Sequence, residues 1–218
     1  MSNFHFISDG LDGTTPGIRW VEFDDGRRGV FKPWDKKAYE AETAYFRVAE
    51  FFNLPVSKCI LVDDGFVSMQ SYNKRMTQVA GYDIQANYCL NDLASVLSES
   101  IVQQLVVLMY VDAVCNHTDR HEGNLAVLSE ARGNIIEMCP VYDNCNCFGN
   151  SYGNKALLTP NFSKGWTHRD IFVWLHKEYP EVLELTVRYT SQEFDRAVQG
   201  LYYTDWILEQ RQYLLSSL

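Results

Sequence analysis

From the N-terminus to about Tyr72, apolar residues come in short runs broken by turn signals. Ile18 to Phe23 (IRWVEF) and Gly29 to Lys32 (GVFK) are β-type runs split by Asp24-Asp25-Gly26, which predicts a hairpin. Lys36 to Phe52 repeats Ala41, Ala44, Tyr45, Val48 and Phe52 at helical spacing, with Lys36, Lys37, Glu40 and Glu50 left for the wet side. Pro55 bars its continuation. Cys59 to Val62 and Phe66 to Gln70 flank Asp63-Asp64-Gly65, a second hairpin signal. After Tyr72 the pattern changes. Asn91 to Leu97 and Ser98 to Cys115 read as helices, and Leu125 to Leu128 and Ile135 to Met138 as short strands around a polar turn. Asn144 to Ser163 is rich in Asn, Gly and Ser and reads as a long loop, which in a compact domain is often functional. Helical spacing returns from Thr167 to the end, with Ser191 as an N-cap before Phe194 and Val198. A β-rich half followed by a helical half predicts an α+β fold of two lobes with a cleft between them.

Composition changes this picture little. The chain has 218 residues, 46% hydrophobic and 22% charged, as an ordinary globular protein does. Its net charge of -9 disfavours broad binding to nucleic acid or to an anionic membrane, so neither is expected as a partner. The most apolar stretch, Ile101 to Val114, is interrupted by Gln103, Gln104 and Asp112 and is too short for a membrane span, so it reads as a buried helix. The N-terminus lacks a basic start followed by an apolar stretch, so no secretory signal is expected. The six cysteines, Cys59, Cys89, Cys115, Cys139, Cys145 and Cys147, are then expected as reduced thiols in a cytoplasmic protein.

The densest polar cluster, Asn116 to Asn124 (NHTDRHEGN), lies between the apolar helix and the strand at Leu125. Phosphoryl transfer accounts for such a cluster. It needs a carboxylate to accept a hydroxyl proton, a neutral amide to hold a metal ion, and a second carboxylate to bridge metal and phosphates. The protein-kinase catalytic loop sets its Asn five residues after its Asp, and Asp119 and Asn124 have that spacing. Asp143, in Pro140-Val141-Tyr142-Asp143-Asn144, follows two short strands whose hairpin would return it beside Asn124. Two oxygen ligands plus phosphates and water suit magnesium. A kinase also needs an ammonium for the phosphates and an acid to orient it; Lys32 ends an apolar strand and Glu42 lies early in the next helix. Upstream, Ser8 to Gly17 holds Gly10, Gly13, Thr14 and Thr15, whose backbone N–H groups and hydroxyls can approach phosphates.

These residues carry a resemblance. Asn116-His117-Thr118-Asp119-Arg120-His121-Glu122-Gly123-Asn124 followed by Pro140-Val141-Tyr142-Asp143-Asn144 resembles the signature of the HipA-like serine/threonine kinases, and more distantly the D-R-H-x-x-N loop of phosphoinositide kinases. Gly29 to Lys32 is similar to the family's nucleotide-lysine strand. Glu42 with Tyr45, Ala49 and Leu54-Pro55-Val56 is similar to the helix that follows it. The resemblance spans roughly Ser8 to Phe148 and implies a two-lobed protein-kinase-like fold. The small nucleotide-binding lobe would be residues 1–72 and the large catalytic lobe residues 73–218. It implies an ATP-dependent serine/threonine protein kinase with ATP and Mg²⁺ as cofactors, a protein substrate with a Ser or Thr acceptor, and autophosphorylation. An antitoxin-like or regulatory protein partner belongs to the same implication. Asp119 would be the base, Asn124 and Asp143 the metal ligands, Lys32 the phosphate lysine paired with Glu42, and His121 a nucleotide neighbour. Gln70, Ser71 and Tyr72 would be the hinge facing adenine. This sequence departs from the family pattern in starting almost at the phosphate loop, which would make it a minimal core, and in having Cys145-Asn146-Cys147 where members often carry Gly and Ser.

Two other readings compete. His117 and His121 are four apart, and with Cys139, Cys145 and Cys147 they offer a structural zinc site. A pseudokinase-type nucleotide-binding or regulatory module would keep the fold without turnover.

Overall fold

The computed structural model describes residues 4–8, 16–70, 77–84, 88–130, 133–149, 156–161 and 165–218. A five-stranded antiparallel sheet runs in the order β1 (Phe4–Phe6), β2 (Arg19–Phe23), β3 (Arg28–Pro33), β5 (Gly65–Met69), β4 (Cys59–Val62). Both expected hairpins form, with Arg19 opposite Phe31 in one and Val62 opposite Gly65 in the other. Val21, Phe23, Phe31, Val67 and Met69 make the buried face of this sheet. Gly65 lies so close to β3 that an added Cβ would strike the Lys32 carbonyl, so a glycine holds the register that delivers Lys32.

Helix α1 (Lys36–Phe51) leaves β3 through Asp35, whose carboxylate accepts the Ala38 N–H at 3.1 Å as an N-cap. Its buried face is Ala41, Glu42, Ala44, Tyr45, Val48 and Ala49, so one acid faces inward among small and apolar groups. The chain then bridges to Val141. Val141 N–H donates to Pro55 carbonyl at 2.9 Å, and Ser57 N–H donates to Val141 carbonyl at 2.8 Å.

In the helical part, α3 (Glu99–Cys115) is buried along most of its C-terminal half and packs against α1, α4 (His168–Glu178) and α7 (Thr204–Leu215). It carries apolar residues on every side, as a helix surrounded by others does. The sequence reading has one helical stretch after Thr167. The structure breaks it into α4, α5 (Val182–Tyr189), α6 (Gln192–Val198) and α7, with Ser191 capping α6 as expected. The helix expected from Asn91 to Leu97 is shorter, α2 (Leu90–Leu93), and continues as turns. A second sheet joins β6 (Thr77–Ala80), β7 (Ala126–Ser129) and β8 (Ile135–Met138). Among the described residues no helix is long and apolar enough to cross a membrane.

Candidate active site

Helix α3 ends at Asn116, which takes the left-handed conformation (φ 51°) that Asn tolerates better than most residues. The His117 N–H closes back on the Asp112 carbonyl at 2.8 Å, so the helix stops and the polar segment turns across its end. His117 is wholly buried. Its Nδ1 accepts the Asp119 N–H at 3.3 Å and its Nε2 contacts the Asp143 carbonyl at 3.3 Å. Burial lowers its pKa to about 3, so it holds both segments as a neutral ring.

Asp119 is half-buried, and its Oδ2 accepts Asn146 Nδ2 at 2.8 Å. Asn124 is buried, and its Nδ2 donates to the Asp119 carbonyl at 2.8 Å. The amide oxygen is therefore the end of Asn124 that remains for a cation. The β7–β8 hairpin carries the chain back to Tyr142, whose hydroxyl donates to the Gly123 carbonyl at 2.8 Å. This return sets Asp143 near the Asn124 segment, as the hairpin argument expects.

Lys32 bridges two carboxylates from different segments. Its Nζ lies 2.8 Å from Glu42 Oε1 and 2.6 Å from Asp143 Oδ1, joining β3, α1 and the segment after β8. Glu42 is 1% exposed, whereas the Asp143 side chain is 39% exposed, so one acid that holds the lysine is sealed in and the other is partly open to solvent. Burial on its own lowers the Lys32 pKa, but the Glu42 and Asp143 carboxylates outweigh it and hold the pKa well above the usual lysine value. Asp143 behaves reciprocally: burial raises its pKa, and the Lys32 ammonium outweighs that and lowers it. Asp143 itself has φ 56°, a left-handed backbone uncommon for a residue other than glycine.

Sequence reasoning gives Arg120 no task, yet it is the hub beneath the site. It is 1% exposed. Its Nε and Nη2 donate to the two Asp112 carboxylate oxygens at 3.1 and 3.2 Å. Its Nη1 reaches the carbonyls of Asn124 and Tyr142 at 3.0 and 3.1 Å, and its Nη2 reaches Asn144 Oδ1 at 2.7 Å. Tyr45 donates its hydroxyl to Asp112 Oδ1 at 2.6 Å. One guanidinium thus ties the backbone of Asn124 and the two neighbours of Asp143 to α1 and α3. The signal was present: an acid inside an apolar helix, as Asp112 is, needs a buried partner.

The remaining candidates stand differently. His121 is exposed and its Nδ1 accepts the Gly123 N–H at 3.0 Å, capping the short 3₁₀ turn Glu122–Asn124. Gln70 is half-buried at the end of β5, its N–H on the Arg28 carbonyl at 2.9 Å. Gly10, Gly13, Thr14, Thr15, Ser71 and Tyr72 lie outside the described residues. The five residues of the zinc reading do not gather. The ligand-type cluster among the described residues is Glu42, Asp143 and Cys145, and Lys32 already bonds its two carboxylates. Asp143 and Asn124 offer a carboxylate and an amide oxygen, hard donors of the kind magnesium takes.

No family model matches the sequence. No curated protein matches it either. Solved structures do. The Helicobacter pylori proinflammatory kinase CtkA superposes with a TM-score of 0.66 at 12% identity, over 100% of this chain and 93% of that one. HipA of Shewanella oneidensis, solved with HipB and operator DNA, gives 0.57 at 11% identity, over 95% of this chain and 62% of that one. The Golgi casein kinase gives 0.50 at 13% identity, over 99% and 71%. The chain has a HipA-like, two-lobed protein-kinase-like fold, with a β-rich part and a helical part.

Proposed function

We propose that the chain is an ATP-dependent kinase that transfers the γ-phosphoryl group to a Ser or Thr hydroxyl of a protein, its own chain included. The observation that carries this is Lys32 Nζ held between Glu42 and Asp143, residues brought together from three separate segments. A kinase needs an ammonium aimed at phosphates, an acid that orients it and a carboxylate for the metal beside it. The small lobe would be residues 1–72 and the large lobe 73–218, with the nucleotide in the cleft between them. HipA's structure with HipB supports a regulatory protein partner for this chain as well.

In this reading Lys32 neutralises phosphate oxygens and Glu42 keeps it from swinging away. Asn124 and Asp143 would hold magnesium, which when bound supplies positive charge to the phosphates. Asp119 accepts the proton of the attacking hydroxyl. His117, neutral and bonded to both the Asp119 N–H and the Asp143 carbonyl, keeps base and metal carboxylate in fixed relation.

Incubation with γ-labelled ATP and Mg²⁺ tests the proposal. Label is expected on the chain or on added protein. Asp119→Asn should lower transfer by about a hundredfold or more, the scale of general-base loss, while nucleotide binding stays within a few-fold. Near-normal transfer in that variant would remove Asp119 from the mechanism.

A further inference from the structure

The run Cys145-Asn146-Cys147 is where the sequence departs from the family it resembles, and nothing in the mechanism above uses it. In the structure each of its residues has a contact. Cys147 is buried, its Sγ 3.0 Å from the Asn144 carbonyl, and the next N–H, of Phe148, donates to the Cys115 carbonyl at 2.8 Å. Cys145 Sγ lies 3.6 Å from Asp143 Oδ1. Between them, the Asn146 carbonyl accepts the Thr118 N–H at 3.1 Å and its Nδ2 donates to Asp119 Oδ2 at 2.8 Å. The segment is therefore anchored to the end of α3 on one side and to Asp143 on the other, with Asn146 bonded twice to the loop that carries Asp119.

The backbone of Asp119 is already fixed: His117 Nδ1 takes its N–H and Asn124 Nδ2 donates to its carbonyl. What remains is rotation of the carboxylate, a torsion with broad, weakly separated minima. We propose that Asn146 is the positioning residue that stops this rotation. It holds Oδ2 and leaves Oδ1, which has no hydrogen bond among the described residues, as the oxygen that takes the acceptor's proton. In the step this implies, the hydroxyl proton passes to Asp119 Oδ1 and the hydroxyl oxygen bonds to the γ-phosphorus. The bond from that phosphorus to the β–γ bridging oxygen breaks, and ADP leaves with the electron pair. An amide suits the task because it donates without setting a second cation beside the base. A carboxylate at 146 would repel Asp119, and a serine is shorter.

The inference rests on the kinase reading, and the test separates the two. Transfer of label from γ-labelled ATP with Mg²⁺ is measured under single turnover, and binding of Mg²⁺ with a non-hydrolysable ATP analogue by calorimetry. Asn146→Ala is expected to slow transfer by about tenfold or more, since small misplacement of a reacting group is costly in rate. Asn146→Asp, which keeps the size, should be slower still. In both, nucleotide affinity should change by less than about twofold, and adding Asn146→Ala to Asp119→Asn should slow transfer no further, because the two act as one unit. A structural role would instead weaken nucleotide binding or add its own loss to the double variant, and either result overturns the inference. The contact is read independently from the ¹⁵N-resolved carboxamide protons of Asn146, which should shift in Asp119→Ala. No shift there overturns the inference whatever the activity. A shift without any transfer by the wild-type chain overturns the kinase reading, and the inference falls with it. An unchanged rate in Asn146→Ala beside an active wild type overturns the inference alone.

Discussion

Single residues divide into those a sequence announces and those only a fold explains. Asp119, Asn124 and Asp143 can be proposed from the sequence because their chemistry and spacing follow the order of the chain. Arg120 sits among them and is silent, because its partners come from Tyr45, Asp112, Asn124, Tyr142 and Asn144, and no local pattern encodes that convergence. The Tyr45 hydroxyl is the simplest probe of this network, since it donates to Asp112 and accepts from Arg120 at 3.3 Å. Tyr45→Phe leaves both short of a partner and is expected to destabilise the protein by about 1–3 kcal/mol, read as a lower urea midpoint at unchanged slope. His168 offers a second test. It is buried beside the same network, and burial outweighs the pull of the Asp112 carboxylate to bring its pKa down from 6.5 to about 4. A histidine lowered on folding binds fewer protons folded than unfolded between those two values. Its neutral form therefore contributes fully above pH 6.5, and stability falls as pH drops through that window, by roughly 3 kcal/mol in all. His168→Leu should flatten urea stability between pH 6.5 and 4 relative to wild type. An unaltered slope would mean that His168 titrates normally.

At the scale of elements, whatever is encoded locally reads well. The two Asp-Gly hairpins, α1, α3 and the β7–β8 pair stand within a residue or two of where the pattern sets them. Strand β6 does not, because its partner β7 lies far along the chain and no hairpin turn announces the pairing. The breaks among α4 to α7 are missed for a related reason: turns that bury Tyr203 and partly bury Leu201 continue the helical rhythm without being helix. The element pair on which the proposed chemistry depends is β3 with α1. Its short connection through Asp35 brings Lys32 and Glu42 to 2.8 Å. Lys32→Met keeps most of the apolar stem, so the sheet should survive while transfer is severely reduced and ATP affinity falls less, the lysine mattering most when phosphates are aligned for reaction. Glu42→Gln should give a weaker form of the same defect. A double-mutant cycle on the transfer rate is expected to be strongly non-additive, since each residue acts through the other. Additive losses would separate the lysine from its acid and undo the alignment of the small lobe.

For the whole molecule, the fold is shared with kinases at 11–13% identity, where sequence comparison finds nothing. A burial pattern can be met by many sequences, whereas a site depends on few residues, so the fold carries the class and the site must carry the activity. The core continues from α1 through α3 to α7, and Pro55 to Ser57 is stitched to Val141 two residues before Asp143. The Asp143 segment is thus bonded into the rest of the structure, and a nucleotide bound at the proposed site should register as global stability. A ligand that binds only the folded chain adds about 2.7 kcal/mol when present at about a hundred times its Kd. For a chain of this size that is a rise of about 5–10 °C in Tm. The pairing of Asp143 with Lys32 gives this a metal dependence. In the proposed function, a nucleotide bound without Mg²⁺ would set its phosphates against an unshielded Asp143 carboxylate, and with Mg²⁺ that carboxylate would become a ligand. Mg²⁺ with ATP should therefore raise Tm well beyond either alone. Asp143→Ala should erase most of the magnesium-dependent part by removing a charged ligand, and Asn124→Ala should remove less of it, having deleted only a neutral one. Equal shifts with and without Mg²⁺ in the wild-type chain would strip both residues of the metal role, leaving Lys32 and Glu42 as the whole of the phosphate site.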